Sequence, residues 1–199
     1  MSEIKLFNTW SVEGITIEDK GLKQSVSLQP IIVPRTLGRY AKHRFYKSKA
    51  NVIERLINKI MTPGHKGKKH FLSSRTVTGK GHTAYNIVKK VFEIIEKEMK
   101  LNPVKVFVKA LENAAPREEI TSIEYGGARY PQAVECSPQR RIDLTLKNMV
   151  QGSFQKSFNK KIKFEKALAD EIMNAYASSQ NSQAISKKLE LERQADASR

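Results

Sequence analysis

The sequence predicts a mainly α fold: a compact helical domain of about six helices with a protruding β-hairpin and an extended basic N-terminal arm. Three observations predict it. Five stretches carry apolar residues every three or four positions, the spacing that gathers them on one face of a helix. One glycine pair, Gly126-Gly127, is flanked on both sides by β-formers, as a tight hairpin requires. A hydrophobic content of 39% in 199 residues is enough for one modest core. Residues 1–34 are read as the arm and residues 35–199 as the helical domain, with the hairpin at about 120–136.

Met1 to Pro34 mixes acids and bases around Phe7, Trp10 and alternating residues such as Ile15 and Ile17, too short for a core of its own. Val52, Ile53, Leu56, Ile57 and Ile60 then recur at helical spacing, with Ser48 as the expected cap and Pro63-Gly64 as the stop. The glycines and serines of GHKGKKHFLSSRTVTGKGH make a loop. Ala84, Ile87, Val88, Val91, Ile95 and Met99 mark a second helix. A third, with Val104, Phe107, Val108 and Leu111, starts at Asn102-Pro103, a capping residue before proline in the first helical position, and ends before Pro116.

Ile120 to Tyr125 and Arg129 to Cys136 flank Gly126-Gly127, which supply the positive φ angles of a two-residue turn, so Tyr125 should face Ala128 and Ile123 should face Tyr130. Ser137-Pro138 reads as the cap and first turn of a fourth helix, buried along Ile142, Leu146, Met149 and Val150. A polar linker, Gly152 to Lys163, leads to a fifth helix through Phe164, Leu168, Ile172, Ala175 and Tyr176. The run SSQNSQ breaks it. Ala184 to Ala197 alternates charge with few apolar anchors, a solvated helix that gains order mainly by docking.

The formal charge is +16, and it is localised: Arg35 to Lys90 holds fifteen Lys and Arg against one acid, Glu54. Such a field attracts polyanions, so nucleic acid is the expected partner class. No run approaches the roughly 18 apolar residues of a spanning helix, and MSEIKLFNTWS lacks a signal core, so a cytoplasmic protein without a membrane partner is expected. The single cysteine, Cys136, forms no internal disulfide and reads as a buried small hydrophobe. His43, His65, His70 and His82 lie among cations without carboxylates beside them, so no metal or other cofactor is expected. No local nucleophilic motif accompanies them, and GHKGKK and TGKGHT do not meet the spacing of a nucleotide-hydrolysing loop. Catalysis has no support in these residues.

GRYAKHRFYKSK, Gly38 to Lys49, interleaves Tyr40, Phe45 and Tyr46 with cations, the arrangement of a phosphate-binding edge anchored by its rings. The glycine amides near Lys66, Lys68, Lys69, Lys80 and His82 suit phosphate as well. Arg140 and Arg141 fall in the first turn of a helix, where cations oppose the dipole at a cost of about 0.3–1 kcal/mol, so either an anionic neighbour holds them or they are simply solvated. An isolated hairpin is marginal in water. This one either covers the core or reaches into RNA, where tyrosines stack on unpaired bases and Arg129 meets phosphate.

The stretch VKALENAAPREEI followed by YGGARYPQAVECSPQRRIDLTL closely resembles the family of the seventh protein of the small ribosomal subunit. The likeness extends through GRYAKHRFYKSKANVIERLINKIM, GKGHTAYNIVKKVFEIIEKEM and ISKKLELERQADASR, and FNTWS with the Ser-Arg end is similar to the archaeal and eukaryotic branch. The resemblance implies a structural, non-enzymatic protein. It implies that the chain binds the 3′ major domain of small-subunit rRNA, helps organise the subunit head beside neighbouring head and platform proteins, and sets its hairpin near exit-site tRNA and the mRNA path. Charge and resemblance together nominate Arg35, Arg39, Lys42, His43, Arg44, Lys47, Lys49, Lys66, Lys68, Lys69, Arg75, Lys80, His82, Arg117, Arg140 and Arg141 for rRNA. The tip residues Tyr125, Gly126, Gly127, Ala128, Arg129 and Tyr130 are nominated for tRNA and mRNA. The alternative is a free RNA chaperone or another nucleic-acid-binding protein, which the patterned core disfavours.

Overall fold

The computed structural model describes residues 4–66, 69–70 and 77–199, with the backbone alone at 65, 66, 69 and 70. Among these, six helices of nine or more residues and one long hairpin form the body: α2 (Val52–Ile60), α3 (Gly81–Met99), α4 (Pro103–Ala114), β3 (Glu118–Tyr125), β4 (Ala128–Glu135), α5 (Pro138–Ser157), α6 (Phe164–Tyr176) and α7 (Gln183–Ala197). A single helical turn, α1 (Lys20–Lys23), precedes them, and the two-residue strands β1 (His65–Lys66) and β2 (Lys69–His70) follow α2. The fold is mainly helical with one antiparallel finger, as the apolar spacing predicts.

α6 is the central rod. Its Leu168, Ala169, Ile172 and Ala175 are buried against α3, α4 and α5. α4 begins as its sequence dictates: Asn102 Oδ1 accepts from Val104 N–H at 3.0 Å, with Pro103 in the first turn. α2 starts differently. Ser48 lies inside a 3₁₀ turn, Tyr46–Lys49, and the cap is Asn51, whose Oδ1 accepts from Ile53 N–H at 2.9 Å. Ser137 holds the cap position of α5 without a side-chain hydrogen bond there, so Pro138 alone sets that start.

Two segments read as connectors carry structure. His65 pairs with His70 and Lys66 with Lys69 across a short antiparallel ladder, within what reads as loop. Gly152 lies inside α5, which runs on to Ser157 rather than giving way to a linker. A Cβ at Gly152 would stand 2.7–2.8 Å from Gln183 of α7, so this glycine permits the two helices to approach closely.

The arm is extended but not free. Leu6, Phe7, Trp10, Val12, Leu22 and Val26 are buried in the common core. Phe7 and Trp10 meet Phe92 of α3 edge to face at 6.1 and 5.6 Å, and Trp10 Nε1 donates to Glu96 at 3.1 Å. Asp19 then latches the arm to α5: its Oδ2 accepts from Arg141 Nη2 at 2.6 Å, while Arg141 Nε donates to Pro116 O at 3.0 Å. Burial alone raises the Asp19 carboxyl, but the Arg141 hydrogen bond and the Gly21 N–H outweigh it, so the net shift is below the ordinary carboxylate value.

A carboxyl lowered on folding stabilises the protein above its unfolded value, about pH 4, and loses that contribution as pH falls through the folded value. Asp19→Asn is expected to cost about 2 kcal/mol at pH 7, half the usual figure for an orphaned buried cation because Asp19 is partly exposed. Urea unfolding checks it: the gap between wild type and variant should start to narrow below about pH 4 and close as pH falls through the folded-state value.

Candidate nucleic-acid interface

The basic segment folds into two consecutive 3₁₀ turns, Arg39–Lys42 and Tyr46–Lys49, too short of apolar residues to make longer helices. Ring contacts stiffen them: His43 packs on Tyr46 at 4.6 Å, Lys49 Nζ lies 4.0 Å over the Tyr46 ring, and Arg44 lies 5.1 Å over Phe45. Arg39, Lys42, His43, Arg44 and Lys49 are exposed. No described residue pairs with the Arg39, Lys42 or Arg44 guanidinium or ammonium groups as a salt bridge. Gln139 at the start of α5 donates to Ser48 Oγ at 2.8 Å, which fixes these turns beside the foot of the hairpin.

Behind the turns lies a cluster that the sequence does not single out. Asp143 of α5 accepts from Lys47 Nζ at 2.5 Å and from Arg55 Nη2 of α2 at 3.3 Å. Lys59 stands in the field of the same carboxylate, and Lys147 in the field of Lys59. Three cations thus share one acid, an excess of two charges, with a fourth cation beside them. Burial raises the Asp143 carboxyl, yet the Lys47 hydrogen bond with the fields of Arg55 and Lys59 brings it net below its usual value. Lys59 is pushed down by burial first and by Lys47, Lys147 and Arg55 next, with Asp143 opposing. Arg55 Nε is buried without a partner. The chain leaves this face short of negative charge, the condition in which a phosphate lowers the energy of every cation around it. One signal was available: Asp143 and Lys147 are spaced i, i+4 on one helix face, four and eight residues beyond Gln139.

The other nominated residues divide. Arg35, Lys80 and His82 are exposed around the start of α3, with the His82 ring parallel to Tyr85 at 6.5 Å. Lys68 and Arg75 lie outside the described residues, and of Lys66 and Lys69 only the backbone is described. Arg117 stands apart, its N–H donating to Glu192 of α7 at 3.1 Å beside Asp196. Arg140 makes a two-pronged pair with Glu119 of β3, one prong Nη2 to Oε2 at 2.6 Å and the other Nε with Oε1. Arg141 is 8% exposed and held by Asp19 and Pro116, so it has no surface to offer RNA. The anionic neighbours of these arginines are the protein's own carboxylates.

The hairpin has the expected register, Tyr125 opposite Ala128 and Ile123 opposite Tyr130. Gly126 and Gly127 have φ of 56° and 84°, the left-handed pair that a two-residue turn demands. Tyr125 and Tyr130 are 68% and 57% exposed, and Arg129 meets only Glu124 at 3.6 Å. Cys136 is buried, its thiol pushed up to about 11 by burial and then by Glu119, so it is inert. Among the described residues no group of three His, Cys, Asp or Glu could hold a metal, and no helix is long and apolar enough to cross a membrane.

Comparison with known proteins bears on this basic face. The model of the family described as Ribosomal protein S7p/S5e matches residues 22–199. The chain is 55% identical over 197 residues to the small ribosomal subunit protein uS7 of Nanoarchaeum equitans (strain Kin4-M), an alignment covering 99% of this chain and 100% of that protein.

Proposed function

The chain belongs to the Ribosomal protein S7p/S5e family, a family of structural ribosomal proteins rather than enzymes, and from that premise we propose how this molecule serves the small subunit. It binds the 3′ major domain of small-subunit rRNA through the two 3₁₀ turns and the cationic cluster where α2 meets α5. It thereby organises the subunit head next to neighbouring head and platform proteins. The observation that supports this most is the gathering of Lys47, Arg55 and Lys59 on the single carboxylate of Asp143, with Lys147 beside Lys59 and exposed Arg39, Lys42 and Arg44 alongside. A protein working alone gains nothing from that repulsion. Arg141 and, in the free protein, Arg140 act within the structure instead, setting the arm and the hairpin.

Binding by phosphate neutralisation fixes the salt response. Affinity for the rRNA domain, measured by filter binding, is expected to fall with log salt at a slope of roughly −0.7 to −0.9 per phosphate contacted. A flat response would falsify the reading.

We assign the hairpin tip, Tyr125 to Tyr130, to exit-site tRNA and the mRNA path, because its tyrosines are exposed and its glycine turn is stiff. Deleting these six residues is expected to leave rRNA affinity within about threefold, since the cationic cluster is untouched. Reconstituted subunits should sediment normally but release exit-site tRNA faster or lose reading frame. A loss of assembly would place the tip in the rRNA site.

A further inference from the structure

A cavity of about 580 Å³ opens between the loop before the first 3₁₀ turn, α2 and the start of α3. Its wall contains Glu54, the one acid between Arg35 and Lys90, and this side chain is 3% exposed. Glu54 Oε1 is fully used: it accepts from Thr36 N–H at 2.9 Å and from Thr36 Oγ1 at 2.6 Å. Oε2 is buried and has no hydrogen-bond partner among the described residues. A carboxylate oxygen left so is costly, and natural proteins leave few of them unless a ligand completes the bond.

The surroundings restrict what can complete it. Tyr40 and Tyr85 present aromatic rings to the cavity, and His82 lies parallel to Tyr85 at its edge. Exposed Arg35 stands in the same wall, so a lysine or arginine from a partner meets repulsion at the entrance. A flat, neutral ring with N–H donors on its edge and a phosphate behind it satisfies all three: the rings stack, Oε2 accepts, and Arg35 meets the anion.

We infer that this cavity receives one unpaired guanine of the bound RNA, with a small shift of the Glu54 side chain bringing its closed-off Oε2 to accept from the base N1–H and N2–H. The inference rests on the rRNA reading above and adds base recognition to it. Guanine is singled out because its two donors lie side by side and can fill both lone pairs of one oxygen. Adenine and cytosine set a ring nitrogen lone pair beside their amino group, facing the carboxylate, and uracil flanks its single N–H with carbonyls. The position of Glu54 in a segment otherwise free of acids then has a chemical reason: a single acceptor inside a phosphate-binding face reads a base, while the cations around it hold the backbone.

The test uses the full-length protein on a transcript of the 3′ major domain, probed with kethoxal, which reacts with N1 and N2 of unpaired guanine, and in parallel with hydroxyl radicals. The wild type is expected to protect one guanine from kethoxal. Glu54→Gln keeps its oxygen on Thr36 but turns a donor toward the base, so that guanine should become reactive while the backbone footprint persists and affinity drops about tenfold. Tyr40→Leu, which removes a wall ring outside the core, should expose the same guanine. Unchanged protection in both variants overturns the inference and leaves the rRNA reading intact, whereas a wild type without any backbone footprint overturns both. Chemical-shift changes of Tyr40 and His82 with free guanosine monophosphate, without protection of any guanine in the RNA, overturn RNA as the source of the base.

Discussion

Replacing Lys59 and Lys147 together by glutamine is expected to weaken rRNA binding about 100-fold, from two charge-assisted hydrogen bonds of roughly 1.5 kcal/mol each. The salt slope should become shallower by about 1.4 to 1.8, because two fewer phosphates are neutralised. Folding stability should not fall with it. Lys59 is held down by burial and by three neighbouring cations, so removing charge relieves the free protein. Opposite movement of affinity and stability is the signature of a site built for an absent anion. If urea unfolding shows both declining together, the two lysines belong to the body of the protein and this cluster is not the rRNA site.

The largest stability effect is expected at Glu171. This residue of α6 is completely buried and joins three helices: Oε2 accepts from Lys156 Nζ of α5 at 2.7 Å, and Oε1 accepts from Ser182 Oγ at 2.8 Å and from Ala184 N–H of α7 at 3.1 Å. Glu171→Ala strands a lysine, a hydroxyl and a backbone N–H, and is expected to cost about 3 kcal/mol, at the lower end for a broken buried pair because Lys156 reaches solvent. In a chain of this size that lowers the melting temperature by roughly 6–12 °C. Hydrogen exchange should also show α7 loosening first, with faster amide exchange at Ile185 than at Ile172. A change below about 1 kcal/mol would mean that the three partners find water or one another instead.

Local chemistry made much of this fold readable. Asn102-Pro103 starts α4 and Gly126-Gly127 turns the hairpin because cap and turn geometry are decided within a few residues. What escaped depends on distant partners. Nothing near Trp10 reveals Glu96, 86 residues away, so the burial of the arm was not legible. Gly152 resembles a linker start until Gln183 of α7 is seen against it. Arg140 and Arg141 are adjacent and chemically alike, yet successive helix positions point about 100° apart, one toward Glu119 at the surface and the other into the body with Asp19. The site divides in the same way. The density of cations and aromatic rings from Gly38 to Lys49 was legible in the sequence, whereas the gathering of Arg55 and Lys59 around Asp143 exists only once α2 lies on α5.

The eight paired positions of β3 and β4 make a finger about 27 Å long, at roughly 3.4 Å per residue. Such a length acts as a mechanical lever, in which a tilt of about 5° at the root sweeps the far end through about 2 Å. The Arg140–Glu119 fork and the contact of Arg199 with Glu118 sit at that pivot. They therefore govern aim far more than stability, and a small slackening there is magnified at Tyr125 and Tyr130.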